Sequence, residues 1–266
     1  MPSIHPLYSS SSGNMFHFGT DKTDILIDVG VSYKAINDGL HLIDKCISNI
    51  SGVLITHEHI DHIKVLSLLC RKNPNIPIYA CNKTAEYLSE LLKEKNIPAN
   101  IVKLNYGQPF KIIDLEITPF ETSHDALSPC GYCIKNKDVK LTYATDLGYV
   151  SNEVFEYLNY ADHIILESNY DKTMLDFGKY PYNLKYRIKS NTGHLSNSDC
   201  ANAVTKLILN GKSDFLFAHL SENNNNEIIL MDTLTSLLKS NGINDLANIH
   251  LNVASKNLSG EVYNLC

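Results

Sequence analysis

Short apolar runs alternate along the chain with longer segments in which apolar residues recur at helical spacing. Runs of about four to eight residues that are rich in β-branched side chains and bounded by turn residues are typical of buried strands. The pattern therefore predicts strands at Ile25–Val29, Val53–Thr56, Pro77–Ala80, Lys111–Thr118, Lys140–Ala144, His163–Glu167, Asp214–Ala218 and Ile249–Val253.

Segments in which apolar residues recur at helical spacing lie between these runs. This spacing predicts helices at Lys34–Cys46, Ile63–Cys70, Thr84–Glu94, Asn152–Tyr157, Ser198–Leu209 and Glu227–Lys239. Asn197 or Ser198 is the expected N-cap of the fifth helix. No internal repeat of solenoid length is present. Strands mixed with helices in this way indicate a layered α/β fold.

The composition of the 266 residues is that of a globular protein, with 44% hydrophobic and 20% charged residues. This length permits one large domain or two small ones. No run of about eighteen apolar residues is present, so no membrane span is expected. The first residues lack the basic start and apolar core of a signal peptide, which predicts a cytoplasmic protein.

The seven cysteines are scattered and odd in number, unlike a disulfide framework. Cys130 and Cys133 form a single CxxC motif without a second pair, so the start of a strand is favoured over a metal or redox site. The net charge of −6 argues against a broad basic surface for nucleic acid. It does not exclude a nucleic-acid substrate, because bound metal ions supply local positive charge.

A dense group of metal-binding residue types follows the predicted strand Val53–Thr56. The run His57-Glu58-His59-Ile60-Asp61-His62 contains three histidines and one aspartate. In such a turn, His57 and His59 can face one metal while Asp61 and His62 face another. Imidazole and carboxylate ligands suit zinc, manganese or iron in the divalent state. A solvated loop is the alternative, and the density of the motif argues against it.

Further candidate ligands lie just after other predicted strands. These are His124, Asp146 and His219. A single histidine at a strand end is more often an ordinary polar terminus. Because loops at strand ends carry ligands in layered α/β proteins, their joint placement supports a site that includes all three.

These motifs resemble the metallo-β-lactamase fold and, more narrowly, the bacterial YycJ/WalJ-type proteins. The HxHxDH run is specific to the superfamily. Four further motifs together specify the narrower resemblance: Thr145–Val150, Leu166–Asp171, Gly193–Asn197, and Ala218–Ser221 with Asn223 and Asn224. The run Ser11–Asn14 near the start of the sequence also contributes to it. The resemblance covers nearly the whole chain. It implies one domain over residues 1–266, an αββα four-layer sandwich of two mixed sheets between helices, and a site along one edge.

The resemblance also implies a set of site residues. It assigns His57, His59 and His124 to a first metal ion, Asp61, His62 and His219 to a second, and Asp146 to a bridge between them. Asp28 matches a buried aspartate that supports the ligand loop, since ligating histidines usually donate their other nitrogen to such a partner. The two ions would be zinc or manganese, with iron as an alternative.

The implied reaction is phosphodiester hydrolysis by a hydroxide that bridges the two ions. YycJ/WalJ-type relatives are 5′-to-3′ DNA exonucleases, so DNA is the expected polymer. His194, in Gly193-His194-Leu195-Ser196, resembles the non-ligand histidine of nucleolytic relatives. It is the expected general acid or phosphate clamp, and Asp61 is the second predicted catalytic residue. Glu167 is expected either to orient a ligand or to be structural.

Substrate contacts are expected in two places. The stretch Tyr170–Lys189 mixes lysine, arginine and tyrosine residues, which can bind phosphates and stack on bases. Lys185 and Arg187 are its candidate contacts, and Asn14 is a third. A solvated loop packed by its tyrosines is an equally weighted alternative for this stretch.

Two other functions remain open from the sequence. The metal ligands also suit a thioesterase or lactonase that acts on small molecules, because a fold does not determine a function. A redox protein with a two-iron centre and a flavin domain would need more chain than 266 residues provide.

Overall fold

The computed structural model describes residues 2–258 and 261–265. The described strands, in chain order, are β1 (Ser3–Ser10), β2 (Gly13–Gly19), β3 (Asp24–Ile27), β4 (Ile50–Leu54), β5 (Pro77–Cys81), β6 (Asn100–Leu104), β7 (Phe110–Ile112), β8 (Leu115–Glu121), β9 (Cys130–Lys135), β10 (Lys140–Ala144), β11 (His163–Glu167), β12 (Asp214–Ala218), β13 (His250–Val253) and β14 (Tyr263–Asn264).

Nine α-helices are found within these residues, along with a short 3₁₀ helix at Ile47–Asn49. The helices are α1 (Tyr33–Leu42), α2 (Ile60–Ile63), α3 (Leu66–Lys72), α4 (Asn82–Glu94), α5 (Asn152–Tyr160), α6 (Lys172–Phe177), α7 (Tyr182–Ile188), α8 (Asn197–Leu209) and α9 (Glu227–Ser240). In the described part of the chain, no helix has both the length and the apolarity to span a membrane.

The chain divides into two compact units. The first contains the residues up to Glu121, Ala126–Val139 and the stretch from Ser255 onwards. The second contains Thr122–Asp125 and Lys140–Ala254. The prediction that residues 1–266 form a single domain stays a prediction.

The first unit contains a mixed sheet of seven strands in the order β14-β1-β2-β3-β4-β5-β6. The strands from β14 to β3 pair antiparallel, and those from β3 to β6 pair parallel. Ile27 of β3 lies opposite Leu54 of β4, so the residues that follow these two parallel strands emerge side by side. A core that includes Leu26, Val53 and Leu88 packs under this sheet. Strands β7, β8 and β9 form an antiparallel meander in the same unit.

The second unit contains four parallel strands in the order β10-β11-β12-β13. Ala144 lies opposite Leu166, and Glu167 lies opposite Ala218, so the carboxyl ends of β10, β11 and β12 are aligned. Helices α5 to α9 lie in the connections between these strands. Polar residues that follow the strands therefore meet at one edge of the sheet.

Most predicted elements are present, with three differences. The predicted strand Lys111–Thr118 is wrong as a single strand, because a turn at Ile113, whose φ is +53°, divides it into β7 and β8. The predicted helix Ile63–Cys70 is two helices, α2 and α3. The N-cap of α8 is Ser196, whose Oγ accepts from the Asp199 N–H at 3.2 Å, in place of Asn197 or Ser198.

The CxxC motif begins a strand, as predicted. Cys130 is the first residue of β9, and its Sγ donates to the Thr56 carbonyl at 3.4 Å. No disulfide joins the cysteines of the described residues, while Cys266 lies outside them. The motif therefore serves packing within the first unit.

Candidate functional site

Four candidate ligands of the first unit follow β4 within six residues: His57 and His59 lie on a short loop, and Asp61 and His62 lie in α2. His57 Nε2 and His59 Nδ1 lie 3.1 Å apart. His62 Nε2 and Asp61 Oδ2 lie 3.4 Å apart. His57 and His62 are buried, and their ring centroids are 4.1 Å apart. The predicted cluster is thus a compact group of donors.

Asp28 holds this loop in place from the end of β3. Its Oδ2 accepts from His62 Nδ1 at 2.8 Å and from the Thr56 hydroxyl at 2.9 Å, and its Oδ1 accepts from the Thr56 N–H at 2.9 Å. Asp28 is fully buried, and this burial raises its pKa although the neighbouring His62 acts in the opposite direction. With Nδ1 engaged, His62 presents Nε2 as its coordinating atom. This contact is the one predicted for a supporting carboxylate.

Asn14 contacts the same histidine at its coordinating nitrogen. Its side chain is 1% exposed, and its Nδ2 is 3.2 Å from His62 Nε2. Its carbonyl accepts from the Gly30 N–H at 2.9 Å. The burial favours a role in positioning His62 over the predicted contact with substrate, which stays untested.

Gly30 allows the backbone to pass directly against the ligand loop. A Cβ at this position would lie 1.5 Å from the Asp61 carbonyl oxygen and 2.2 Å from its carbon. The neighbouring Val29 N–H donates to the His62 carbonyl at 2.8 Å. Because the close atoms belong to backbone, no side-chain movement can make room, and only glycine fits here.

Glu58 joins the ligand loop to two more distant segments of the first unit. Its Oε2 accepts from the Thr84 hydroxyl at 2.9 Å, and its Oε1 accepts from the Leu127 N–H at 2.8 Å. Although Glu58 lies between two candidate ligands in the sequence, it acts as an anchor. Its hydrogen-bond partners are distant in sequence, so the motif alone could not identify them.

The candidate ligands of the second unit follow β8, β10 and β12. Asp146 Oδ1 lies 3.8 Å from His124 Nε2 and 3.5 Å from His219 Nδ1. All three residues are buried. Asp146 and His219 have φ angles of +57° and +58°, a left-handed conformation that is uncommon for residues other than glycine. Such backbone conformations cluster at functional sites, where the surrounding structure holds them.

His124 is held in the neutral form that a metal ligand requires. Burial lowers its pKa, and this effect outweighs the nearby Asp146 carboxylate, which raises it. Its Nδ1 lies 3.0 Å from the Gly193 carbonyl oxygen, which can only accept, so Nδ1 carries the proton and Nε2 is left for coordination.

Glu167, at the end of β11, connects two histidines. Its Oε1 lies 2.8 Å from His194 Nδ1 and 2.9 Å from His219 Nδ1. Its Oε2 accepts from the N–H groups of Leu147 and Leu195 at 2.9 and 3.1 Å. Burial acts to raise the pKa of Glu167, but His194 and these hydrogen bonds outweigh it and lower the pKa below its usual value. The carboxylate is therefore ionised, and both imidazole Nδ1 atoms must donate to it.

These contacts decide between the two interpretations of Glu167 that the sequence left open. It orients a candidate ligand and also His194, whose side chain is 20% exposed. Ligand atoms of Asp146, Glu167, His194 and His219 all lie within 4.8 Å of one another. His194 thus lies within this cluster, and its role as general acid or phosphate clamp stays a prediction.

The spacing of the donor atoms fits divalent metal ions. Two ligand atoms bound tetrahedrally at about 2.0–2.1 Å from one ion lie roughly 3.3 Å apart. Within each unit, pairs of candidate ligands approach this separation. The separations are 3.1 Å for His57 and His59, 3.4 Å for Asp61 and His62, and 3.8 Å for His124 and Asp146. The imidazole and carboxylate donors make up the set that zinc, manganese or iron prefers. His62, His124 and His219 are each oriented by a hydrogen-bonded partner.

The two predicted basic contacts lie on α7. Arg187 forms an ion pair with Asp125, with Nη2 at 2.9 Å from Oδ1. Lys185 donates from Nζ to the Asp176 carbonyl at 2.8 Å. Both are on the surface of the second unit, and their contact with substrate stays a prediction.

The sequence of the chain is similar to that of known proteins. The profile described as "Beta-lactamase superfamily domain" matches residues 23–219. The chain is 37% identical over 237 residues to the exodeoxyribonuclease YycJ of Bacillus anthracis, a match that covers 89% of each chain. It is 36% identical over 222 residues to the exodeoxyribonuclease WalJ of Streptococcus pneumoniae serotype 2, covering 82% of this chain and 81% of the relative.

Structural comparison gives the same fold. The metallo-β-lactamase fold protein YhfI of Bacillus subtilis superimposes with a TM-score of 0.74 at 16% identity, covering 99% of both chains. The predicted metallo-β-lactamase α/β fold is therefore confirmed, and so is the resemblance to the YycJ/WalJ group. Together with the histidine and aspartate clusters, these matches identify a metal-dependent hydrolase of the nuclease type whose donor sets imply divalent metal ions.

Proposed function

The chain belongs to the β-lactamase superfamily, beside its YycJ/WalJ-type members, and from that premise we propose that it is a 5′-to-3′ exodeoxyribonuclease. The observation that carries the proposal is the Glu167–His194 hydrogen bond of 2.8 Å beside Asp146. It provides an oriented proton donor that is not needed as a ligand. The names of the two relatives, which are identical to this chain at more than a third of the aligned positions, support DNA as the substrate.

We propose that two divalent ions, zinc or manganese, serve the reaction. When bound, such ions neutralise charge on the phosphate and lower the pKa of a water molecule. The ligands would be those named from the sequence, namely His57, His59, Asp61, His62, His124, Asp146 and His219. Their division between two ions, with Asp146 shared, stays a prediction, as does the cytoplasmic location.

Asp28 and Glu167 would act through the histidines that they hold. Each is a buried carboxylate that accepts from a histidine Nδ1, so that Nε2 of His62 and of His219 points away from its partner. Carboxylates in this position fix the ring orientation and make the imidazole a better ligand. Their part in the reaction is to keep the ligands in place before substrate arrives.

His194 would protonate the leaving oxygen. Its Nδ1 donates to Glu167, so a second proton on Nε2 can pass to the 3′ oxygen as the P–O bond breaks. The positive charge that the ring carries before transfer is balanced by the buried Glu167 carboxylate. Because His194 is 20% exposed while Glu167 is fully buried, the histidine is the member of the pair that substrate can reach.

Asp61, predicted as catalytic as well as ligating, would act through its place on the ligand loop. Its side chain is 22% exposed, and its Oδ2 lies 3.4 Å from His62 Nε2. The structure supports a ligand role, since the carboxylate and imidazole are spaced as two donors of one ion.

The test uses purified protein that has been stripped of metal and then supplied with manganese or zinc. Duplex DNA with a label at the 5′ end should release labelled mononucleotide at once, whereas DNA with a 3′ label should release it only after long digestion. A panel of thioesters and lactones, run in parallel, addresses the small-molecule alternative. Turnover of that panel with intact DNA would contradict the proposal.

A further inference from the structure

The α6–α7 segment, Tyr170–Lys189, is a helical pair with its own small core. Tyr170, Leu175 and Ile188 are buried together, and Tyr180 and Leu184 pack against them. Asp171 caps α6 by accepting from the Met174 N–H at 2.7 Å. The segment is therefore helical. The packing of Tyr170 and Tyr180 agrees with the alternative of a segment packed by its tyrosines, but the segment is not a loop.

The outer face of α7 carries a stripe of alternating rings and cations. Tyr182, Lys185, Tyr186 and Lys189 are spaced i, i+3, i+4 and i+7, which places them along one side of the helix. Tyr182 is 84% exposed and Tyr186 is 71% exposed. At this spacing an amphipathic helix normally buries its apolar residues, but here Ile188 is buried and the two rings face solvent.

A cleft lies on this face, and a third exposed ring lies nearby in the sequence. Phe177, the last residue of α6, is 88% exposed. A cleft of about 310 Å³ is lined by the α7 stripe together with Asp176. Its volume is at the lower end of the roughly 300–1,000 Å³ usual for small-ligand pockets. Two large exposed rings that line a cleft are typical of an interaction surface.

The charge of the segment is opposite to that of the whole chain. Residues 170–189 contain five lysine and arginine residues and two aspartates, a net charge of +3 in a chain of −6. Lys189 pairs with Asp176 inside the segment, and Lys172 and Arg187 pair with Asp199 and Asp125 outside it. Much of the unbalanced positive charge is therefore carried by Lys179 and Lys185. The surface therefore suits a polyanion, and the rings set it apart from a simple phosphate-binding patch.

We propose that the outer face of the α6–α7 segment binds single-stranded DNA, with bases stacked on Tyr182 and Tyr186 and phosphates beside Lys185 and Lys189. The proposal rests on the proposed nuclease function and adds the form of DNA that the enzyme holds. Flat exposed rings bind unpaired bases, because the faces of paired bases are covered by their neighbours in a duplex. A duplex offers only its backbone to this surface, so the rings would add nothing to its binding.

The test measures equilibrium binding by fluorescence anisotropy in the Asp146→Ala background, which keeps the DNA intact. Labelled single-stranded and duplex DNA of equal length are the probes. Replacing Tyr182 and Tyr186 together with leucine should weaken single-strand binding by at least about tenfold. Replacing both with phenylalanine keeps the rings and should preserve the affinity within about twofold, and duplex binding should change little in either variant.

Tyr160→Leu is the matched control, since Tyr160 is 46% exposed at the end of α5. It should leave single-strand binding unchanged. A strand that contains 2-aminopurine should lose fluorescence on binding the protein with intact rings and not on binding the leucine variant. Lys185→Gln should reduce the slope of log K against log salt by about 0.7, the value for one phosphate contact on a single strand.

Two results separate this inference from the function on which it rests. If the wild type digests DNA but the leucine variant binds single strands as tightly as its parent, the surface serves another partner and the inference is overturned. If single strands bind in a ring-dependent manner but no metal restores DNA hydrolysis, the proposed nuclease function fails while the binding surface stands.

Discussion

Glu167 holds His194 through a hydrogen bond of 2.8 Å from the imidazole Nδ1 to the buried carboxylate. The same oxygen, Oε1, accepts from His219 Nδ1 at 2.9 Å. One side chain therefore fixes both a candidate ligand and the candidate proton donor. The orientation of the proton donor is thus tied to the metal-binding residues by a shared partner.

This relationship leads to a test based on the leaving group. His194→Ala should reduce cleavage of DNA, whose leaving group is a poor alkoxide, by about 10²–10⁴-fold. Cleavage of a p-nitrophenyl phosphodiester should fall by less than about tenfold, because that leaving group departs without a proton. Steady-state rates on both substrates provide the measurement. Equal losses on both would mean that His194 does not act as the general acid.

Replacement of Asp28 should weaken metal binding and leave the fold intact. Asp28→Asn keeps the shape of the side chain and tolerates the φ of +61°, but it removes the charge that orients His62. Metal affinity, measured by titration against a competing chelator, should fall by about 10–100-fold. Activity should return at high metal concentration.

Asp24→Asn is the control for that change, because Asp24 is also buried on β3 but contacts His17 and Lys45. Its metal affinity should match that of the wild type. If both variants bind metal equally well, Asp28 does not support the ligand loop in the way described.

Gly30 offers a test of the close backbone approach. Gly30→Ala places a Cβ within 2.2 Å of two backbone atoms of Asp61 and should cost at least about 2 kcal/mol of unfolding free energy. Gly39→Ala, in α1, meets the flexible side-chain ends of Leu7, Met15 and Leu258 at 3.2, 3.3 and 3.4 Å, so it should be nearly neutral. Thermal unfolding of the two variants makes the comparison. Similar midpoints would refute the proposed steric conflict.

The burial of His5 predicts that the folded protein loses stability as the pH falls. Burial lowers the pKa of His5 from 6.5 to about 4, helped by His17 and Lys45 and opposed by Asp24. Between these values the unfolded chain binds the proton and the folded chain does not, so stability falls as the pH drops from 6.5 towards 4. The loss should reach at most about 3 kcal/mol.

Urea unfolding at pH 7 and at pH 4.5 measures this loss. His5→Gln should show a smaller decrease between the two pH values than the wild type. Asp24, whose pKa is lowered by His17 and Lys45 in spite of burial, contributes only at still lower pH. His41→Gln, at an exposed position, should retain the full decrease. If His5→Gln loses as much unfolding free energy between pH 7 and pH 4.5 as the wild type does, another group causes the loss.

Much of the candidate site could be predicted because it follows strand ends. The parallel registers of β10, β11 and β12 bring together residues that are far apart in sequence, and those strands have clear apolar patterns. The sequence left two roles open for Glu167 and gave none for Glu58, because their partners lie 20 or more residues away. Nothing in the local sequence distinguishes Glu58 from an ordinary surface carboxylate.

The missed elements also have physical explanations. Strands β1 and β2 bury His5 and His17, so their polar residues hide the apolar pattern. Helix α6 exposes Phe177, and helix α7 exposes Tyr182 and Tyr186, which obscures the amphipathic spacing that would have revealed the helices. In the strands polar residues are buried, and in the helices apolar rings are exposed, so both depart from the usual pattern.

The most direct test of the nuclease account compares the wild type with Asp146→Ala on 5′-phosphorylated DNA in the presence of manganese. The buried Asp146 carboxylate lies among His124, His194 and His219, so its removal should abolish metal-dependent hydrolysis without unfolding the chain. The account predicts release of mononucleotides by the wild type and none by the variant. Equal release by both proteins, or release that persists after the metal is removed, would contradict it.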